Sequence, residues 1–522
     1  MTKHPSHRPP PPPTPELERH EFKLLQQKLA ERWQRVHDVE SGPSDIVVIP
    51  SLSLDGFQLG AIPGINHYEE RMLFTLGRLR NPRARLVYVT SQPLDPALVD
   101  YYLALLGGIP TAHARQRVTL LSTYDGTPRS LTEKVLERPR LIQRIRDMID
   151  PERAHMTVFT VSPRERQLAV ALGIPLYGVD PELLYLGTKS GSRAAFREAG
   201  VSMPPGVENV RSEAEVAENI ATLWEAHPTT RRMIVKLDQG FSGAGNAVLS
   251  LAGLGRVAPL RAPHGARVDA VLEALTGLDF ASRDETWPRF RSELERIGGV
   301  VELYLEGRRS TSPSAQLRIN PRGQLEPMST HDQVLGGASG QVYLGCRFPA
   351  DDAYRLALQE DAMAVGRVLV QRGCIGRVGV DFITVEDEHG VWSRYAVEIN
   401  LRMTGTTHPI MTMKLLNDGA YDPEQGLYLT RRGEPRFYVS TDTLMARHYR
   451  GLLPEDLLDI AAIHELHYQP WKETGVVFHL LGALSQYGKL GLTAIGSSMA
   501  EAQSFYDRAR ETLDRETLEQ RA

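Results

Sequence analysis

Apolar and polar positions alternate with a period of two along two neighbouring stretches, 377–385 and 396–402. In the first, Val378, Val380 and Phe382 fall on one face and Gly379 and Asp381 on the other; in the second, Val397, Ile399 and Leu401 oppose Ala396, Glu398, Asn400 and Arg402. The turn-rich residues 386–390 join them, so the pattern predicts an antiparallel hairpin. With its turn centred near His389 and Gly390, a constant sum of positions sets Asp381 opposite Glu398. Two carboxylates face to face repel, which makes sense chiefly when a cation lies between them. Carboxylate and amide oxygens suit a hard ion, magnesium first and manganese second. A solvated face on which Glu398 pairs with Arg402 is the alternative.

Helical spacing of Phe22, Leu25, Leu29, Trp33 and Val36 predicts an amphipathic arm over 16–44, packing on its own chain or on a second copy, behind a proline-rich tail at 1–15. Short β-branched runs at 45–50, 84–90 and 156–161, with helical patterns after them, predict a parallel α/β domain over 45–184. It has no GxGxxG after a strand, and so no dinucleotide fingerprint. A helix from Lys189 to Gly200 follows, then a strand carrying Lys236 and a loop with Gly240, Gly243 and Gly245, whose amides could close over phosphates. Residues 253–287 read as an insertion of mixed helix and loop. Residues 299–307 read as a strand entering a connector, and 314–320 as a strand with Gln316 and Arg318 on one face. Residues 329–345 read as a glycine-rich loop in which His331 and Asp332 cap a turn. A tail domain over 431–522 ends in a helix from Met499, and His479 within it reads as a core histidine.

Composition narrows the class of molecule. The chain has 522 residues, 41% apolar and 24% charged, enough for several domains with sizeable cores. A formal charge of −4 gives no basic field for nucleic acid, and no polybasic run or long apolar stretch points to a membrane. Cys346 and Cys374 are too few for a disulfide framework, so a reducing cytoplasm is expected.

In order, a lysine, a strand lysine with a glycine loop, a glutamate-bearing connector, an arginine strand and the hairpin with EINLRMTGTTHP at 398–409 resemble the ATP-grasp superfamily over residues 180–415. The whole chain is similar to its carboxylate–amine ligase branch, particularly the pheganomycin-type peptide ligases. This resemblance implies an α/β and α+β architecture: a pre-ATP-grasp α/β domain, an ATP-grasp fold over 185–430 and a C-terminal accessory domain. It also implies ATP and Mg2+, with Mn2+ as substitute. By the same resemblance Lys189 and Lys236 would contact the nucleotide phosphates beneath a loop containing Gly240, Ser242 and Gly243. Glu302 and Leu305 would meet adenine through their backbones, and Glu306 would hold the ribose. Asp381, Glu398 and Asn400 would bind the metal; Arg318 and Arg402 would join Lys236 in handling phosphate and the substrate carboxylate. Many relatives have Glu at the position of Asp381, which leaves the ligand count open.

The implied reaction converts a carboxylate to an acyl phosphate, because oxide is too poor a leaving group, and then lets an amine displace phosphate. It needs no nucleophilic side chain, in keeping with the absence of a convincing Ser-His-Asp or Cys-His set. A kinase that stops at phosphoryl transfer and a nucleotide-binding subunit without turnover stand as alternatives. Small-molecule or peptide substrates are the expected partners, and a homodimer stays open.

Overall fold

The computed structural model describes residues 14–35, 42–54, 56–60, 62–240, 245–282, 285–336 and 342–519. Ser242, Gly243 and the proline run lie outside them. Three sheets organise the chain.

The first is parallel, in the spatial order Val118–Ser122, Ala84–Thr90, Ser44–Ile49, Ala154–Val158. Ser44–Ile49 is buried at every position because both faces are covered: Ile46 and Val48 enter one core, Val47 and Ile49 another. Val118–Ser122 is the strand that the hydrophobic pattern does not single out. It lies at the sheet edge and is only partly buried. Helix Pro15–Arg35 packs on helix Pro163–Leu172, with Phe22 in the core and the Gln26 amide bonded to both backbone groups of Leu176.

The second sheet is antiparallel, in the order Gly206–Val210, Gly299–Leu303, Arg232–Leu237, Asn246–Ser250, Asp279–Phe280. Residues 253–287 are more regular than expected: helix His264–Ala274 lies on helix Glu213–Ala226, and Val268, Val271 and Leu275 join the core at helical spacing.

The third sheet has 11 strands. Trp392–Asn400 pairs with Gly376–Glu386, followed by Pro313–Ile319, Leu325–Gly336, Val342–Phe348 and Pro435–Met445. The glycine-rich stretch expected as a loop therefore belongs largely to two strands. His331 is no turn cap: it is fully buried, with Nε2 2.5 Å from the Tyr438 hydroxyl. Glycine content hid a strand whose partners come from distant sequence. Pro435–Met445 bonds directly to Val342–Phe348, so residues beyond 431 extend this sheet, and Leu490, Leu492 and Leu513 share a core with Ile46 and Tyr88 of the first sheet.

Candidate active site

The hairpin fixes the carboxylates. Asp387 accepts from the backbone N–H groups of His389 and Val391, and Gly390 takes a φ of 82°, closing a tight turn. From Glu386↔Trp392 to Phe382↔Ala396 the pairing centres on residue 389, a register that would put Val397 opposite Asp381. A β-bulge between Asp381 and Phe382 absorbs Val397, and Asp381 pairs with Glu398 and Gly379 with Asn400. Ala396 is consequently in the core with Phe382, Ile399 and Leu401, not on the polar face that strict alternation gives it.

Asp381 Oδ2 accepts from the Asn400 amide at 2.9 Å and Oδ1 from the Gln333 amide at 3.2 Å. Burial, and then the neighbouring charge of Glu398, push its carboxyl up to about 6. Two facing, partly buried carboxylates beside an amide fit a hard divalent ion; Asp381 also has the shorter arm. Among the described residues no group of three His, Cys, Asp or Glu side chains converges, so phosphate and water oxygens would fill the remaining positions.

Helix Lys189–Ala199 joins this face to the second sheet. Thr188 caps it, accepting from Gly191 N–H. Lys189 Nζ reaches Glu398 at 2.5 Å, Ser192 Oγ accepts from Ile399 N–H at 3.0 Å, and both belong to the third sheet. Toward the second sheet, Ser190 Oγ and N–H donate to Asp238 at 2.7 and 2.9 Å, and Arg193 donates to Glu302 at 2.7 Å. The other Glu302 oxygen takes Lys236 Nζ at 2.6 Å. Burial alone would raise the Glu302 carboxyl; Lys236 and Arg193 outweigh it and hold it below its ordinary value.

The remaining candidates separate. Glu302 lies inside a strand paired on both sides, with Gly206 and Ile234, and its side chain is the one committed to the two cations. Leu305 sits half-buried in the connector, and Glu306 is at the rim, paired with Arg232, whose guanidinium lies 3.9 Å from the Tyr304 ring centroid. Gly240 ends the segment after Lys236. Arg402 is half-buried beside Glu398 and Asp381; desolvation lowers its pKa while those carboxylates oppose the change. Arg318 shares the polar face, but it pairs opposite Arg377, four residues or roughly 13 Å from the Ser314 that faces Asp381, and it salt-bridges Glu326 at 2.9 Å. Arg193, Asp238 and Gln333 were not among the residues expected here. Arg193 could have been found one helical turn after Lys189; Gln333 lay in the supposed loop.

Residues 181–261 and 265–424 match the family described as IQCH-like, ATP-grasp, and residues 456–509 match the PGM1 C-terminal domain. The chain is 34% identical over 490 residues to L-propargylglycine–L-glutamate ligase of Streptantibioticus cattleyicolor, covering 92% of this chain and 96% of that protein. It is 26% identical over 439 residues to IQ motif-containing protein H of Danio rerio, covering 76% of this chain and 41% of the other. The fold is shared with the biotin carboxylase domain of Hydrogenobacter thermophilus 2-oxoglutarate carboxylase, solved with MgADP, ADP and bicarbonate (TM-score 0.53, 11% identity, 90% of this chain and 89% of that one). It is also shared with Rhizobium etli pyruvate carboxylase, solved with acetyl coenzyme A (TM-score 0.51, 16% identity, 90% of this chain and 37% of that one).

Proposed function

The chain belongs to the ATP-grasp family of carboxylate–amine ligases, and from that premise we propose that it activates the carboxylate of an amino acid or short peptide as an acyl phosphate and joins it to the amine of another. The ligase from Streptantibioticus cattleyicolor, whose name carries two amino acids, directs the choice of substrates. The observation that carries the reading is the pairing of Asp381 with Glu398 on a face that Lys189 reaches from a helix anchored to the second sheet.

Asp381, Glu398 and Asn400 are the residues that would hold magnesium, which when bound neutralises phosphate oxygens and orients the terminal phosphoryl group. Lys189 and Lys236 bring two more positive charges to the triphosphate. Lys236 is held by Glu302, so its position is set before the nucleotide arrives. Arg402, desolvated beside the carboxylates, holds the substrate carboxylate while it attacks and stabilises the oxyanion that forms when the amine adds to the acyl phosphate. The amine loses its proton to solvent or phosphate as phosphate leaves, and no side chain becomes covalently bound. Leu305 beside adenine and Glu306 beside the ribose complete the reading, with Arg232 giving up its carboxylate partner as the sugar binds, while Glu302, paired on both strand edges, holds Lys236 and Arg193.

Phosphate release from MgATP, measured with amino acids and short peptides singly and in pairs, tests this. Phosphate and a condensed product with a particular pair, both lost in Glu398→Ala, are expected. A stable phosphorylated compound, or tight ATP binding without turnover, would overturn the ligase reading in favour of a kinase or a regulatory subunit.

A further inference from the structure

Beyond Arg402, segment Ile65–Arg80 of the N-terminal domain meets strands Pro435–Met445 and Lys489–Gly496 in a charged cluster that the nucleotide chemistry does not use. Arg71 is 5% exposed; its Nη1 donates to Asp442 at 3.1 Å, and its guanidinium lies 4.3 and 4.4 Å from the ring centroids of Tyr68 and Phe159. Its Nε is buried without a hydrogen-bond partner. Lys489, 6% exposed, donates to the Tyr68 hydroxyl at 2.7 Å. Among the described residues, Asp442 is the carboxylate ion-paired with Arg71, and none is ion-paired with Lys489.

The cluster is tied to the active site. Met403, next to Arg402, donates its N–H to the Phe159 carbonyl at 3.1 Å, and His408 Nδ1 bonds the Arg71 carbonyl at 2.7 Å. Glu70, the nearest acid in sequence, is turned away, bonded to His67 and to Gly482 N–H. Two buried cations set against one carboxylate, with a donor left unused, are unfavourable until an anion completes them.

We propose that Arg71 and Lys489 bind a substrate carboxylate that does not react, either the acceptor's own or a second one on the donor. Arg402 handles the reacting end; Arg71, with a planar fork, and Lys489, with a mobile point charge, hold the other end and thereby set specificity. Tyr68, half-buried, is the most exposed member of the cluster. This inference rests on the ligase reading.

The test is kcat and KM for phosphate release by the full chain and by Lys489→Met and Arg71→Lys. Donor and acceptor are each offered with the non-reacting carboxylate free or as its primary amide, one side at a time. In the unmodified protein, amidation of one side lowers kcat/KM about 100-fold, which also tells donor from acceptor. In Lys489→Met the free acid's KM rises about tenfold while the KM for ATP holds, and the acid–amide ratio shrinks. Arg71→Lys, which keeps the charge and loses the fork, shifts the same ratio. Equal kcat/KM for acids and amides on both sides, in a protein that still releases phosphate, overturns this inference and spares the ligase reading. No phosphate release with any pair overturns both. The comparison on the unmodified protein can overturn the inference even where a variant fails to fold.

Discussion

Glu302 has two positively charged partners and 2% exposure, which makes it the residue whose loss the fold tolerates least among the site's charges. Glu302→Gln leaves Lys236 and Arg193 buried against a neutral amide and is expected to destabilise the protein by about 3 kcal/mol, read from urea unfolding. Lys236→Met leaves the Arg193–Glu302 pair intact, so it should cost stability less while raising the KM for ATP at least tenfold, a contrast that separates structural from nucleotide-handling charge. Lys236, Glu398 and Asn400 stood out in the sequence as polarity within apolar strands, whereas Lys189 was marked only by a helix start and named through the family resemblance. Arg71 was not legible: it lies among ordinary charged residues of Ile65–Arg80, and only packing against strands more than 350 positions away buries it.

At the scale of elements, helix Lys189–Ala199 is the piece on which both sheets converge, and its first turn leaves no room for a side chain at Gly191. A Cβ there would fall 1.9 Å from the Tyr185 carbonyl oxygen, a backbone atom that cannot swing aside. Gly191→Ala should therefore displace the helix start, lower stability by about 2 kcal/mol and raise the KM for ATP, although alanine is the better helix former; an unchanged thermal midpoint would contradict the packing described. The hairpin was legible as a pairing, since Asp381 does face Glu398. It was not legible as a path, because a bulge at Val397 leaves no mark in a two-residue alternation except an alanine on the unexpected face. Strands in 329–345 escaped notice for a related reason: glycine weakens the local signal, and the pairing that compensates comes from residues 435–445.

Over the whole molecule, the 431–522 segment, within which residues 456–509 match the PGM1 C-terminal domain, packs closely on what precedes it. Its strands continue a sheet begun far upstream, and its apolar residues close the core of the first domain. His331 marks the seam, spanning from Leu325–Gly336 to Tyr438 on Pro435–Met445. Burial holds its imidazole neutral, down at about 3 against an ordinary 6.5. The unfolded chain thus takes up a proton below pH 6.5 that the folded protein excludes, so the contribution of His331 to stability is complete above that pH and is lost as pH falls toward 3. In His331→Gln this loss disappears: the difference in unfolding free energy between the two proteins should change by about 1.4 kcal/mol per pH unit between pH 6 and 4. A difference that does not vary with pH would show that the ring is not excluded from protonation. Among the described residues no helix is long and apolar enough to cross a membrane.

The ion pair between Lys189 and Glu398 has a consequence for the order in which the cleft fills. Each is the other's placeholder: the ammonium stands where a cation would go, and the carboxylate occupies a charge that phosphate would claim. Nucleotide and metal therefore compete with the resting pair separately and relieve it together, which makes their binding mutually reinforcing by the same factor in either direction. Removing the ammonium splits the two effects. Calorimetric titration of Lys189→Met should find divalent cations bound more tightly in the absence of nucleotide and ATP bound more weakly, opposite signs from a single substitution.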